Sequence, residues 1–315
     1  MTKIVFLDAD TVGVLPELDQ LKSLGEPVFY PFSSYQETAE RISEAEIIIT
    51  NKVVIDRKIM EQSPALKLIC VAATGMNNID LPCAEEKGIL VKNVKGYSTD
   101  SVAQLSFGLL LNLLNHIAFY DHFVKSGKYS SSRLFTSLDR EIVQLKDKTL
   151  GIVGLGAIGR KVAEIATAFG ARVIYFSASG KNNQPLYQKV SMDQLLSDSD
   201  IISIHAPLSE HTRNLIGYQE LKRMKSSALL INAGRGGIVN EEDLARALNE
   251  NLIAGAAVDV YEKEPPDPYN PLLKLIQPEK ILLTPHIAWA AREARQELLS
   301  QIIAHIRKYL GNRAH

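Results

Sequence analysis

The chain has 315 residues, 46% of them hydrophobic and 23% charged, as in an ordinary globular protein long enough for two domains. Its 35 Lys and Arg against 36 Asp and Glu leave a formal net charge of −1, so no basic excess points to nucleic acid or to an anionic membrane surface. A charged substrate must then be handled by individual residues.

Short β-rich apolar runs alternate with helical patterns throughout, which predicts an α/β protein with parallel sheets. The first run is short and carboxylates follow it at once, unlike a signal peptide. Strands are predicted over residues 4–7, 27–30, 47–50, 68–72 and 89–91, with helices over 37–44 and 80–87 between them. Cys70 and Cys83 form neither a disulfide framework nor a close metal-ligand pair, and suit a reduced cytoplasmic protein with no metal. A change of unit begins near Ser98. Ser101-Val102-Ala103-Gln104 fits a capping box that opens a long apolar helix, expected to be buried. That stretch is interrupted by Gln104, Ser106 and Asn112 and falls short of a membrane span.

After a serine-rich loop over 125–132, further strands are predicted over 150–153, 173–176, 201–204, 228–231, 256–260 and 281–283. Six such strands fit a doubly wound sheet. A last helix, about 292–309, follows at once and is expected to return to the first domain. The expected division is therefore a discontinuous domain, 1–98 with 289–315, and a dinucleotide-binding domain, 99–288.

Residues 150–159 run from strand into helix with Gly154, Gly156 and Gly159 at G-x-G-x-x-G spacing, Leu155, Ala157 and Ile158 between them. The first glycine permits the tight turn, the second lets the backbone approach a pyrophosphate, and the third lets helix and strand pack closely. Free N–H groups at the helix start then face the phosphates. A carboxylate for the adenosine ribose of NAD is expected after the second strand, but Ser177 stands there, followed by Ala178, Ser179, Gly180 and Lys181. Its loss removes repulsion against a 2′-phosphate, which Ser177, Ser179 and Lys181 could contact, so either NAD or NADP is permitted.

Arg235, Glu264 and His286 each fall just beyond a predicted strand of this series, at the edge where open α/β sheets bind ligands. Reduction of a 2-keto acid needs these groups. Arginine's planar fork suits the carboxylate, and histidine can supply the proton that the nascent alkoxide takes. A neighbouring carboxylate favours imidazolium and holds the ring.

With these motifs, His205-Ala206-Pro207-Leu208, Asn232-Ala233-Gly234-Arg235-Gly236, 259–265 and Thr284-Pro285-His286, the chain resembles the D-isomer-specific 2-hydroxyacid dehydrogenase family over nearly its whole length. The resemblance implies a Rossmann domain and a smaller flavodoxin-like substrate domain, both doubly wound. It gives the same roles to Arg235, Glu264 and His286. It also implies that Asp259 and the Ala233 carbonyl orient the nicotinamide carboxamide, and that His205, Ala206, Pro207 and Thr212 line the cofactor site. Ala73, Thr74, Gly75 and Asn77 look like the loop whose N–H groups help hold the substrate carboxylate. A homodimer formed through the cofactor domain is implied as well. Tyr97 to Gln104 and His286 to Ala290 are similar to the glycerate dehydrogenase/hydroxypyruvate reductase branch, which implies hydroxypyruvate or glyoxylate as the keto acid and D-glycerate or glycolate as the hydroxy acid. Two other readings share the fold: a dinucleotide-sensing corepressor, and a formate dehydrogenase, against which the pairing of Glu264 with His286 argues.

Overall fold

The structure, a computed structural model, describes residues 1–180 and 182–312. The chain divides into two compact units, 1–98 with 290–315 and 99–289.

The first unit is built on strands β1 (Lys3–Phe6), β2 (Glu26–Phe29), β3 (Ile47–Thr50), β4 (Leu68–Val71) and β5 (Leu90–Asn93), with helices α1 (Tyr35–Ile42), α2 (Arg57–Glu61) and α3 (Leu81–Glu86) between them. All strand pairs are parallel, in the order β2-β1-β3-β4-β5, which is the flavodoxin-like arrangement. β3 and β4 are buried along their whole length, as central strands covered on both faces must be. Pro27 is accommodated because β2 is an edge strand. β5 lies further along the chain than the predicted 89–91. Its ends follow its pairing with β4, Leu68 opposite Leu90 through Val71 opposite Asn93, rather than its own apolar residues. α1 starts two residues before the predicted 37–44, because Ser34 caps it: the serine side chain accepts the Glu37 N–H and the Glu37 carboxylate accepts the Ser34 N–H.

In the second unit a long helix, α4 (Thr99–Asn115), and α5 (Ile117–Lys125) precede the sheet. The predicted capping box is corrected here. Ser101 lies inside α4, and its hydroxyl donates to the Ala288 carbonyl at 2.5 Å instead of capping the helix. α4 is buried through Val102, Ala103, Phe107, Leu110 and Leu114, as its apolar sequence predicts. α5 was hidden because no glycine or proline marks the break before it; His116, at φ 50°, turns the chain. The sheet then follows as β6 (Thr149–Val153), α6 (Ala157–Ala168), β7 (Arg172–Phe176), β8 (Gln188–Lys189), α7 (Met192–Asp198), β9 (Ile201–Ile204), α8 (Tyr218–Arg223), β10 (Leu229–Asn232), α9 (Glu241–Asn249), β11 (Gly255–Val258) and β12 (Ile281–Leu283). Among the described residues it has seven strands, not six, all parallel, in the order β12-β11-β10-β9-β6-β7-β8. The extra strand, β8, is an exposed two-residue edge with no apolar pattern to announce it. The strand order reverses between β6 and β9, which makes the ends of those two strands the topological switch point.

The last helix, α10 (Arg292–Gly311), belongs to the first unit. Leu298, Leu299, Ile302, Ile303 and Ile306 are buried, and Arg295 donates to the Val12 carbonyl at 2.7 Å. The division falls after Trp289, one residue beyond the expected boundary, and Ala288 just before it is tied by its N–H and its carbonyl to residues of the second unit. No single described helix is long and apolar enough to cross a membrane. Since Leu298 is completely buried, Leu298→Ala is expected to destabilise the first unit by about 2–5 kcal/mol in urea unfolding, the range for a leucine truncated in a packed core.

Candidate active site

The glycine-rich turn sits at the switch point. Gly154 has φ +92°, and its N–H donates to the Phe176 carbonyl at 3.0 Å. A Cβ there would lie 2.8 Å from the Ala206 backbone, so the turn and the segment after β9 meet only because residue 154 has no side chain. A Cβ on Gly159 would strike the Gly154 carbonyl, which explains the third glycine by packing. At Gly156 a Cβ would meet nothing within 4 Å, and Gly156 is the N-cap of α6 with no side chain satisfying the first turn. The exposed N–H groups of a 12-residue helix thus face open space beside a backbone that nothing covers, and this fits a dinucleotide pyrophosphate. Gly156 and Ala157 are exposed and Ile158 is half-buried.

Beyond β7, Ser177 is buried. Its hydroxyl accepts the Asn182 N–H at 3.3 Å and its carbonyl accepts the Gly180 N–H at 3.0 Å. The position expected to carry a carboxylate therefore carries a neutral group turned into its own loop. Ser179 is exposed, and Lys181 lies outside the described residues. After β9, Ala206 is buried and Pro207 exposed. Thr212 is buried, accepts the Ser209 N–H at 2.7 Å and donates to the Pro207 carbonyl at 2.7 Å, so its hydroxyl shapes this turn.

His205 stands at the same strand end. Its Nε2 shares a 2.8 Å hydrogen bond with Ser203 Oγ, while Nδ1 is sealed from solvent without a partner, although the residue as a whole is only half-buried. Burial with no compensating charge pushes its imidazole down to about 4.

β10, β11 and β12 are neighbours and parallel, so the segments that follow them emerge side by side. Arg235 comes three residues after β10, half-buried, with Nη1 on the Gly234 carbonyl at 2.8 Å. Its carbonyl accepts from Asn232 Nδ2 at 3.1 Å. A Cβ on the next residue, Gly236, would collide with the Tyr261 carbonyl, so the Arg235 segment lies directly on the segment after β11. Glu264 and His286 meet: Nδ1 is 2.7 Å from Oε2 and 2.8 Å from Oε1. The two side chains retain 27% and 21% exposure, enough to be reached from solvent.

Sequence reasoning missed two supports of this pair. Tyr261 donates its N–H to Glu264 Oε1 at 3.1 Å and its hydroxyl to the Thr284 carbonyl at 3.2 Å, and burial pushes its phenol up to about 12. A tyrosine after a strand carries no local signal for that role. The Ser101 hydroxyl, which holds Ala288, had a competing local explanation as a helix cap. Ala233 is buried in a small apolar cluster with Val102 and Ala288. Asp259 is fully buried, and its oxygens accept from Thr284, Ile287 and Ala288.

In the first unit, the loop after β4 carries Ala73, Thr74, Gly75 and Asn77. Thr74 Oγ1 donates to the Val94 carbonyl at 2.9 Å, and Asn93 Nδ2 donates to the Thr74 carbonyl at 2.6 Å, leaving Thr74 and Asn77 exposed on a braced loop. In the second unit, a cavity of about 680 Å³ opens at the opposite edge of the sheet, where Lys148, Asp200, Leu229, Gly255 and Ile281 start or precede strands. It is separate from the constellation above.

Residues 107–288 match the family described as D-isomer specific 2-hydroxyacid dehydrogenase, NAD binding domain. The glycerate dehydrogenase of Methylorubrum extorquens is 35% identical over 317 residues, covering 99% of this chain and 97% of its own. The hydroxypyruvate reductase of Blautia hydrogenotrophica is 35% identical, covering 98% and 97%. Among solved structures, an acyclic imino acid reductase in complex with NADPH and D-Arg superposes with a TM-score of 0.87 at 31% identity, covering 99% of this chain and 97% of its own.

The histidine without a charge partner generates a test. The unfolded chain takes up a proton at position 205 near pH 6.5, whereas the folded one resists until about 4. Its contribution to stability is therefore present above pH 6.5 and lost as pH falls through that window. In His205→Asn the acid-side loss of stability between those two values, followed by urea unfolding, is expected to be smaller than in the parent.

Proposed function

Because this chain belongs to the D-isomer specific 2-hydroxyacid dehydrogenase family, whose members act on 2-hydroxyacids, we propose that it reduces a small 2-keto acid, hydroxypyruvate or glyoxylate, to D-glycerate or glycolate. The observation that carries this reading is the Glu264–His286 pair, held beside the Arg235 segment at the edge of a dinucleotide-binding sheet.

The roles follow from charge and geometry. Arg235 holds the substrate carboxylate, since it is the cation of the constellation and its fork suits two oxygens. The first unit is the substrate unit of this reading, and its loop 73–77, braced by Thr74 and Asn93, is the part of that unit assigned to a substrate carboxylate. Glu264 occupies Nδ1 of His286, so Nε2 is the nitrogen left to face the ketone. A reduced nicotinamide, when bound, supplies the hydride to C2. As C2 becomes tetrahedral, the carbonyl oxygen gains the electron pair of the broken π bond and takes the proton from Nε2. The Glu264 carboxylate, by occupying Nδ1, fixes which nitrogen carries the mobile proton.

Both NAD(H) and NADP(H) fit this site, and NADPH is the proposed working cofactor, on the buried neutral Ser177 at the ribose position. A homodimer accompanies the reading, supported by Leu134, Phe135 and Leu138, which are 69%, 90% and 81% exposed on the segment after α5 and need covering. A cytoplasmic location is consistent with two free, buried cysteines.

Arg235→Ala is expected to raise KM and lower kcat for hydroxypyruvate, and His286→Ala to lower kcat by roughly 10²–10⁴-fold with little change in KM, as for the loss of a general acid. Steady-state kinetics at 340 nm read both; near-parent turnover in both variants refutes the assignment. In the same assay Ser177→Asp is expected to depress kcat/KM with NADPH by more than about tenfold while sparing NADH, because like charges set against each other cost several kcal/mol.

A further inference from the structure

The loop that follows β7 is fastened in two directions by one asparagine. Asn182 donates its side-chain amide to the Leu155 carbonyl at 2.9 Å and its backbone N–H to Ser177 Oγ at 3.3 Å. Its carbonyl accepts the Tyr175 hydroxyl at 3.4 Å, and that hydroxyl in turn accepts the Gln184 N–H at 2.9 Å. Tyr175 has no exposed surface, so this leg of the loop hangs from the interior of the sheet. Leu155 lies between the first two glycines of the turn after β6. Its carbonyl is the point where the phosphate-facing turn and the ribose-facing loop are joined. Arg160 Nη1 reaches the same carbonyl from α6 at 3.4 Å. Leu155 therefore keeps a partner when Asn182 is removed, and what Asn182 adds is the tie between the two segments.

We propose that Asn182 is a positioning residue for coenzyme choice: by clasping the loop after β7 to the Leu155 carbonyl, it holds the Ser177 hydroxyl where it donates to the 2′-phosphate of NADPH. The inference rests on the reading of NADPH as the working cofactor. The Ser177 oxygen accepts the Asn182 N–H, and among the described residues no acceptor takes its own proton. That proton is left for the group at the ribose 2′ position. A hydrogen bond given to a phosphate is charge-assisted and about twice as strong as one given to a neutral hydroxyl. Fixing the Ser177 hydroxyl therefore favours a 2′-phosphate over a 2′-hydroxyl. β7 lies across the switch point from β11 and β12, which carry Glu264 and His286, so the effect falls on cofactor binding and spares the proton transfer.

The test is fluorescence titration of the protein with NADPH and with NADH, beside kcat on hydroxypyruvate at saturating NADPH. Asn182→Ala is expected to raise NADPH Kd by about tenfold and NADH Kd by less than about threefold, with kcat held within about twofold. In a Ser177→Ala background the same substitution is expected to raise NADPH Kd by less than about threefold further, the non-additivity of two groups acting as one. Asn182→Gln, which keeps the donor on a longer stem, recovers part of the NADPH affinity. Before any cofactor is added, the Gly180 and Gln184 amides are expected to exchange with deuterium faster in Asn182→Ala than in the parent. Tyr175→Phe, which removes the hydroxyl between Asn182 and Gln184, gives the same selective loss in smaller degree and carries the test if Asn182→Ala does not fold. Equal weakening of both cofactors, full additivity with Ser177→Ala, or unchanged amide exchange overturns the positioning role. A parent that binds NADH as tightly as NADPH instead overturns the cofactor reading on which the proposal rests.

Discussion

In the second unit every strand runs the same way, so every strand hands the segment after it to one edge of the sheet. Everything chemical in this unit follows from that constraint. The glycine turn after β6, the His205 segment after β9, the Arg235 segment after β10, Glu264 after β11 and His286 after β12 are collected from more than 130 residues of sequence (154 to 286) without any of them needing to be near another along the chain. A parallel sheet must also be covered on both faces, so its central strands can be apolar throughout. The polar groups are thereby confined to the edge.

At that edge, two histidines on different strand ends have opposite surroundings. His286 has a carboxylate 2.7 Å from Nδ1 and stays reachable from solvent. His205 has only the Ser203 hydroxyl, an orphaned Nδ1 and an imidazole pushed down to about 4, so it is neutral at ordinary pH. Residue type alone does not separate a proton carrier from a packing group; the partner does. The chain's near-zero net charge fits the proposed site, which assigns anions to the first turn of α6 and to Arg235 and not to a general field.

The fold class was legible because its signal is carried by burial. β3, β9 and β12 occupy the predicted spans, since their apolar runs are as long as the strands themselves. Three of the four edge strands shifted or escaped: β2 starts one residue early, β5 is placed by its partner, and β8 has only two exposed residues, while the edge strand β12 kept its apolar run. In the site, the catalytic candidates could be named because each lies in the segment that follows a strand. What could not be read were hydrogen bonds spanning 23 to 187 residues, such as Tyr261 to Thr284 or Ser101 to Ala288. Ser101 is the instructive case. A serine three residues before a glutamine satisfies a strong local rule, yet the hydroxyl serves a distant carbonyl and the helix begins two residues earlier.

The Glu264–His286 pair shows why such distant bonds matter. Both side chains keep a fifth to a quarter of their surface exposed, and an ion pair in that setting is worth about 0–1 kcal/mol. So weak a contact can choose which nitrogen holds the proton, but cannot by itself hold an imidazole to within the fraction of an ångström that proton transfer requires. That accuracy has to come from the hydrogen bonds beneath, which are partly or fully buried: the Tyr261 N–H fixes the carboxylate, the Tyr261 hydroxyl and Asp259 fix Thr284, and Ser101 with Asp259 fixes Ala288. The division of labour is physical. Partly exposed charges sit on a turn whose position is determined by hydrogen bonds withdrawn from the surface.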